Sequence, residues 1–212
     1  LVNNNIAYSN SIPNYNVIAS INGAGFNMST GEPSGLLIMN GVVYQDINAS
    51  GFVGILKDGT AVIGTKEEYL TIYKDQVAEG IAGFGATLVK DGKITVAKTD
   101  NYTNDRASRT AIGITKTGKV VFMVLDGRQE PWSCGGSMQE IAQIMLEAGC
   151  YTAVNLDGGG STTFVSRPEG ETELKNDVEP EASENSEDSE NSEEEDLDIE
   201  IEEKKEEPNF VH

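Results

Sequence analysis

In Tyr151-Thr-Ala-Val-Asn155-Leu156-Asp157-Gly158-Gly159-Gly160-Ser161-Thr162-Thr163-Phe-Val165, an apolar strand over 151–156 runs into three glycines and re-emerges as a strand over 162–165. Consecutive glycines cost conformational entropy and give a core no side chain, so they are useful where backbone must approach something closely or take positive φ. A hairpin turn needs one or two of them. Three, bracketed by Asn-Leu-Asp and Ser-Thr-Thr, point instead to a ligand site. Asp157 stands at the carboxyl end of the strand, where a side chain can project into a cleft. The backbone N–H groups of Gly158, Gly159, Gly160, Ser161 and Thr162 are candidate donors to an anion.

Outward from this stretch the chain reads as a series of hairpins. Strands at 36–39 and 42–45 flank Asn40-Gly41, 52–56 and 60–63 flank Lys57-Asp58-Gly59, and 87–90 and 93–97 flank Asp91-Gly92. Strands at 110–115 and 119–125 flank Lys116-Thr117-Gly118, and a further strand spans 17–22. Residues 137–148 predict a helix: Ser137 and Glu140 form a capping box, Ile141, Ile144, Met145 and Ala148 make an apolar face, and Gly149 suits the C′ position. Residues 66–74 predict a shorter helix. The expected fold class is α+β: a mostly antiparallel sheet built from hairpins, with one or two packed helices and a disordered acidic C-terminal tail. The expected division is a domain over 1–168 and a tail or linker over 169–212.

Charge supports that division. Residues 1–170 carry 16 acidic and 12 basic side chains, whereas 171–212 carry 19 acidic and 3 basic. A segment so polar and so charged cannot bury enough apolar surface to order itself, and it reads as a self-repelling link to further domains. No basic stripe supports nucleic-acid binding, and no apolar run approaches the ~20 residues of a membrane span. The one histidine is His212, which excludes a Ser-His-Asp triad, a Cys-His pair and His-ligated zinc from the body. Acid–base chemistry then falls to carboxylates, lysine, tyrosine, cysteine or bound water. Cys134 and Cys150 flank the predicted helix, whose ends stand roughly 16 Å apart. That is too far for a disulfide, so two free, buried thiols are expected.

Gly113-Ile-Thr-Lys-Thr-Gly118-Lys119-Val120 nearly matches a phosphate-binding loop. Val120 replaces the required Ser or Thr, however, and the stretch sits in a predicted hairpin. Gly83-Phe-Gly85 lacks the third glycine of a dinucleotide fingerprint. Asp126-Gly127-Arg128 ends a second apolar strand, and Asn22-Gly23-Ala24-Gly25-Phe26 ends a third. Arg109 opens a strand, and its fork suits phosphate or carboxylate. For Glu140 the capping role competes with a catalytic one.

Four blocks of the chain resemble, in order, the phosphodiester glycosidase family. They are Ile21-Asn22-Gly-Ala-Gly-Phe26; Arg109-Thr-Ala-Ile-Gly113-Ile-Thr; Val124-Leu-Asp126-Gly-Arg128; and Met138-Gln-Glu140-Ile-Ala with Asn155-Leu-Asp157-Gly-Gly-Gly-Ser161-Thr-Thr. The resemblance covers roughly residues 15–167. It implies hydrolysis of a sugar 1-phosphodiester in a glycan or cell-envelope polymer, and a domain beginning before Leu1. It also implies an extracellular or envelope location in a bacterium, where relatives are often labelled exopolysaccharide-biosynthesis proteins.

On this reading Asp157 is the base or nucleophile and Glu140 or Asp126 the second carboxylate. Arg109 and Arg128 clamp the phosphate. Asn22, Phe26, Asn155 and the 158–162 backbone join Arg128 in binding substrate. No cofactor is implied, and a divalent cation stays open. The alternative is a non-catalytic glycan- or cell-wall-binding module using the same cleft, and a third reading is an interaction domain tethered by its tail.

Overall fold

β-Branched and aliphatic residues alternating with polar ones, punctuated by glycine turns at positive φ, fold this chain into three antiparallel sheets. A computed structural model describes residues 2–11, 16–85, 87–97, 105–169, 171 and 173–176. The strands, in chain order, are β1 Ala19–Ile21, β2 Leu37–Met39, β3 Val42–Gln45, β4 Gly51–Leu56, β5 Ala61–Thr65, β6 Val77–Ala82, β7 Thr87–Lys90, β8 Lys93–Ile94, β9 Arg109–Thr115, β10 Val120–Leu125, β11 Cys150–Asn155, β12 Phe164–Ser166 and β13 Lys175–Asn176. One five-stranded sheet has the order β10-β9-β11-β7-β8, a second β3-β2-β6-β4-β5, and a three-stranded sheet β1-β12-β13.

The fold is α+β in four layers. The helix Met138–Glu147 covers one face of the first five-stranded sheet, burying Met138, Ile141, Ala142 and Met145 against Leu88, Val89, Ala111 and Ala153. Its capping box is present as expected, but its buried face is rotated from the predicted one: Ile144 is half-exposed and Ala148 lies outside the helix, exposed. The reason is the sheet beneath. Gly113 of β9 opens a hollow in which Cys150 and the Met145 methyl sit, close to where a Cβ on Gly113 would stand. That draws the 138-141-142-145 stripe inward. The opposite face of this sheet packs on the second through Val53, Ile63, Val154 and Leu156. The outer face of the second sheet is closed by residues 66–73, a single α turn followed by a π turn, with Tyr69 buried beside Phe52, ring centroids 5.3 Å apart. A 2.7 Å ion pair between Lys90 and Glu68 ties that turn to β7.

Three elements were not anticipated. β6 lies in the centre of its sheet although Val77-Ala-Glu-Gly-Ile-Ala82 has weak strand propensity, because neighbours on both sides supply its pairing. The helix Val2–Ser11 forms from an Asn- and Ser-rich segment that gives little local helix signal. β13 pairs Asn176 with Val165 and Lys175 with Ser166, and Leu174 is buried. Ordered pairing thus continues past the expected boundary at 168, because Leu174 offers the chain one more apolar anchor before the acidic run. The chain divides into units at 1–182 and 183–212. The expected disorder of the acidic segment falls on residues outside the described ones from 177 onward. Both cysteines are free as expected. Cys150 is buried, and burial pushes its thiol up, but Cys134 is exposed on the 126–136 loop rather than buried.

Candidate active site

Antiparallel order brings the motif blocks to one end of the molecule. In the first sheet Leu125 of β10 pairs with Arg109 of β9, and Asn155 of β11 pairs with Ala111 of β9. Asp126 after β10, Asp157 after β11 and Arg109 at the start of β9 therefore share an end. In the small sheet Ile21 of β1 pairs with Phe164 of β12, so Asn22 meets the same place. The glycine run is no hairpin turn. β11 and β12 belong to different sheets, and residues 156–163 cross between them through a short 3₁₀ turn, Gly159–Ser161.

Close approach explains the glycines. A Cβ on Gly158 would stand 2.8 Å from the Ser108 carbonyl oxygen, and Gly159 has φ of 58°. The run does not, however, form the expected anion cradle. The Gly158 N–H donates to Asp157 Oδ1 (3.1 Å) and Gly159 N–H to the Ser108 carbonyl (2.9 Å). Ser161 N–H donates to the Gly158 carbonyl and Thr162 N–H to that of Gly159. These donors hold the crossover itself in shape, because a tight turn closed by its own backbone leaves few N–H groups facing outward. Gly160 is the exposed glycine of the run.

Asn22 pins the crossover. Its Nδ2 donates to the Asp157 carbonyl (2.8 Å), while its Oδ1 accepts from Thr110 Oγ1 (2.7 Å) and Thr163 N–H (3.0 Å). The Asp157 N–H donates in turn to the Gly23 carbonyl (3.1 Å). Asn22→Ala deletes three bonds and strands buried partners. At about 1 kcal/mol or more for each it is expected to cost about 3 kcal/mol, read from the denaturant midpoint at constant m-value.

A cleft of about 360 Å³ opens beside this crossover, lined by Tyr8, Ser20, Ile21, Asn22, Gly23, Ala24, Phe26, Asp157, Ser161 and Thr163. Of the sequence candidates it brings together Asn22, Phe26, Asp157 and Ser161. Arg128 lies close by: its Nη1 is 3.7 Å from the place of a Cβ on Gly159, and the residue takes φ of 56°. Positive φ at a non-glycine residue stores strain of the kind found at functional sites. Asp126 places Oδ1 in the interior with no hydrogen-bond partner among the described residues, a costly state for a simple turn residue.

Four candidates stand away from the cleft lining. Arg109 is 5% exposed; its Nε donates to the Gly136 carbonyl (3.0 Å) and Nη2 to that of Asp105 (2.6 Å). It braces the loops behind the glycines and is not on the cleft wall, because its stem runs along the buried strand β9. Asn155 is 1% exposed and donates to the carbonyls of Phe84 (2.9 Å) and Leu156 (2.6 Å). It therefore anchors the 83–85 turn and is shielded from substrate. The Thr162 hydroxyl is likewise buried, away from the cleft lining.

Glu140 keeps its capping role, and both its carboxylate oxygens accept from Arg106 Nη1 at 2.8 Å. That commits its carboxylate to scaffolding. Arg106, then the Ser137 N–H, hold the carboxyl below its ordinary range. A depressed value contributes stability above the ordinary carboxylate pKa of about 4.3, and this is lost as pH falls through the folded value. Glu140→Gln retains the cap but not the charge. It is expected to lower Tm slightly at neutral pH, the pair being half-exposed and screened. The two melting curves should converge as pH falls below the ordinary carboxylate range, where both side chains are uncharged.

The sequence reading missed Tyr8, which comes from the unanticipated helix, and Ser108, whose carbonyl and hydroxyl hold Gly159. Among the described residues no three His, Cys, Asp or Glu side chains gather to hold a metal ion, and no helix is long and apolar enough to cross a membrane.

Comparison with known proteins identifies relatives of this chain. A family profile described as phosphodiester glycosidase matches residues 15–191. An uncharacterized SPbeta prophage-derived protein of Bacillus subtilis, YomE, is 35% identical over 153 residues, which are 68% of this chain and 23% of that protein. Human N-acetylglucosamine-1-phosphodiester alpha-N-acetylglucosaminidase is 29% identical over 164 residues, 68% of this chain and 31% of the enzyme. The chain thus spans about a quarter to a third of the curated relatives it matches. The solved catalytic domain of the zebrafish enzyme, auto-inhibited by its pro-peptide, superposes with a TM-score of 0.60 at 27% identity, covering 70% of this chain and 53% of that one. The profile match extends over most of the chain, and on that match the chain belongs to the phosphodiester glycosidase family.

Proposed function

We propose that this chain carries the catalytic cleft of a hydrolase that cleaves the bond between a sugar and phosphate in a sugar 1-phosphodiester, N-acetylglucosamine 1-phosphodiesters first among them. The observation that carries the reading is Asp157 on the wall of the cleft, in a crossover pinned by Asn22, with Arg128 against the same glycines. Water adds to the anomeric carbon as the bond from that carbon to the phosphate oxygen breaks. The products are the free sugar and a phosphomonoester. The leaving phosphate is a weak base, so no histidine acid is needed. Asp157 accepts the water proton, or bonds to the anomeric carbon first, and steadies the oxocarbenium-like transition state. Arg128 suits the phosphate oxygens as a planar, permanently charged fork. Asp126, which follows β10 at the same end of the sheet, is the remaining candidate for a second carboxylate, since Arg106 holds Glu140.

The names of the vertebrate relatives support the sugar, and the family match supports the bond. A substrate in an envelope polymer or exopolysaccharide, and a location outside the cytoplasm, belong to the same proposal; cell fractionation tests the location. Incubating the protein with a panel of sugar 1-phosphodiesters and measuring released sugar tests the activity. Binding of those compounds without release favours the glycan-binding module instead.

A further inference from the structure

Arg128 stands in a backbone conformation that favours glycine, with φ of 56°. A side-chain-bearing residue stays there only where the surrounding structure over-determines it. Ser133 supplies that constraint, fastening the chain on both sides of Arg128 with three hydrogen bonds. Before Arg128, Ser133 Oγ donates to the Asp126 carbonyl (2.6 Å). After it, the Gln129 N–H donates to the Ser133 carbonyl (2.8 Å) and the Ser133 N–H to the Gln129 carbonyl (3.0 Å).

Resting on the phosphate role proposed above for Arg128, we propose that Ser133 is a positioning residue for it. The Ser133 hydroxyl holds Arg128 in its left-handed conformation and so aims the guanidinium at the phosphate beside Asp157.

Two arguments lead there. First, Ser133 belongs to a fixed leg of the 126–136 loop. Its Oγ accepts the Gly135 N–H (3.2 Å), Arg106 Nη2 donates to the Gly135 carbonyl (2.7 Å), and Gly136 bridges to Ala107 just ahead of β9. Ser133 therefore passes the position of the sheet to the arm that carries Arg128. Second, Arg128 is exposed and its side chain is long, yet Nη1 stands 3.7 Å from the place of a Cβ on Gly159. A change in the sign of φ redirects the Cα–Cβ bond, and the length of the side chain multiplies that error at the guanidinium. Fixing the root of the side chain raises affinity by cutting the ordering cost, without adding a contact to the ligand. The Gln129–Ser133 pair is backbone and survives substitution. The hydroxyl bond to Asp126 is the part that belongs to serine itself.

The test is a double-mutant cycle on the full chain, read by two measurements well below the Tm of each variant. Calorimetry follows the binding of inorganic phosphate, and kcat/KM is measured with a sugar 1-phosphodiester. Ser133→Ala is expected to weaken phosphate binding and to lower kcat/KM by about tenfold each, with Tm close to that of the parent. Ser133→Thr keeps the hydroxyl and is expected to retain both. In an Arg128→Ala background, Ser133→Ala is expected to change phosphate binding no further, because the two residues act as one unit. Unaltered phosphate affinity in Ser133→Ala overturns the inference. So does a Thr variant as poor as the Ala variant, or a second tenfold loss on top of Arg128→Ala. A fall in Tm of many degrees in Ser133→Ala overturns it too, by assigning the hydroxyl to loop closure. A parent chain that turns over the diester but binds no phosphate removes Arg128 from the phosphate, and Ser133 with it. All of these outcomes leave the hydrolase reading intact. Absence of turnover by the parent on every sugar 1-phosphodiester, with the phosphate cycle holding, overturns the hydrolase reading and leaves the coupling of Ser133 to Arg128 in place.

Discussion

Replacing Asp157 by asparagine is expected to lower turnover of a sugar 1-phosphodiester by about 10²–10⁴-fold, the usual loss when a general base is removed, while Tm stays close to that of the parent. The crossover explains why the two effects separate. Asp157 is held by its backbone, through its N–H on the Gly23 carbonyl and its own carbonyl under the Asn22 amide. Asparagine keeps both. Its side-chain oxygen also accepts the Gly158 N–H as Asp157 Oδ1 does, and asparagine suits turns as well as aspartate. What disappears is the negative charge in the cleft. Turnover and thermal melts measured on the same preparation check the prediction. Full turnover at an unchanged Tm would remove Asp157 from the chemistry. A fall in Tm of many degrees would assign the aspartate to the turn instead.

Gly127→Ala carries the second large effect, on stability. Gly127 lies between Asp126 and Arg128, where three backbone segments meet. A Cβ there would overlap the Ser108 nitrogen, reach 2.5 Å from the Ala107 carbonyl carbon and stand 2.9 Å from Gly135 Cα. The neighbours are backbone atoms in a bridge between Ala107 and Gly136, so no side chain can swing aside. Relief requires separating the 107–109 and 134–136 segments. That opens the support beneath Gly158 and Arg109, and a destabilisation of about 3 kcal/mol is expected. Denaturant unfolding measures it. Gly118→Ala serves as the control: nothing lies within 4 Å of the Cβ position there, and only the positive φ of 82° is strained. A cost at Gly127 no larger than at Gly118 would contradict the packing argument.

Legibility followed the range of the forces involved. The hairpins at Asn40-Gly41, Asp91-Gly92 and 116–118 were visible because a tight turn and its flanking strands are local, and both glycines of the first two turns and Gly118 take positive φ. The Ser137–Glu140 capping box was visible for the same reason. The same helix's buried face was misplaced by a fraction of a turn, because the hollow at Gly113 that receives Met145 lies on a strand distant in sequence. β6 was invisible because its pairing on both sides outweighs its weak propensity.

For the candidate site, the sequence by itself determined the unusual glycine run, the aspartates that end two apolar strands, and the exclusion of histidine from the body. These depend on residue type and order alone. Tertiary structure decided which of those residues share a cleft. Arg109 and Glu140 carry the right charge, but one is turned to the Asp105 and Gly136 carbonyls and the other to Arg106. Asn155 has the right position but faces the Phe84 and Leu156 carbonyls from inside the core. A side chain's partner is set by which backbone carbonyl or opposite charge lies within about 3 Å after packing, and no local pattern encodes that distance. Tyr8 is the clearest instance. Its Asn- and Ser-rich surroundings mark it as unremarkable, and only the docking of its helix beside β1 and β12 puts an exposed aromatic ring on the wall of the cleft.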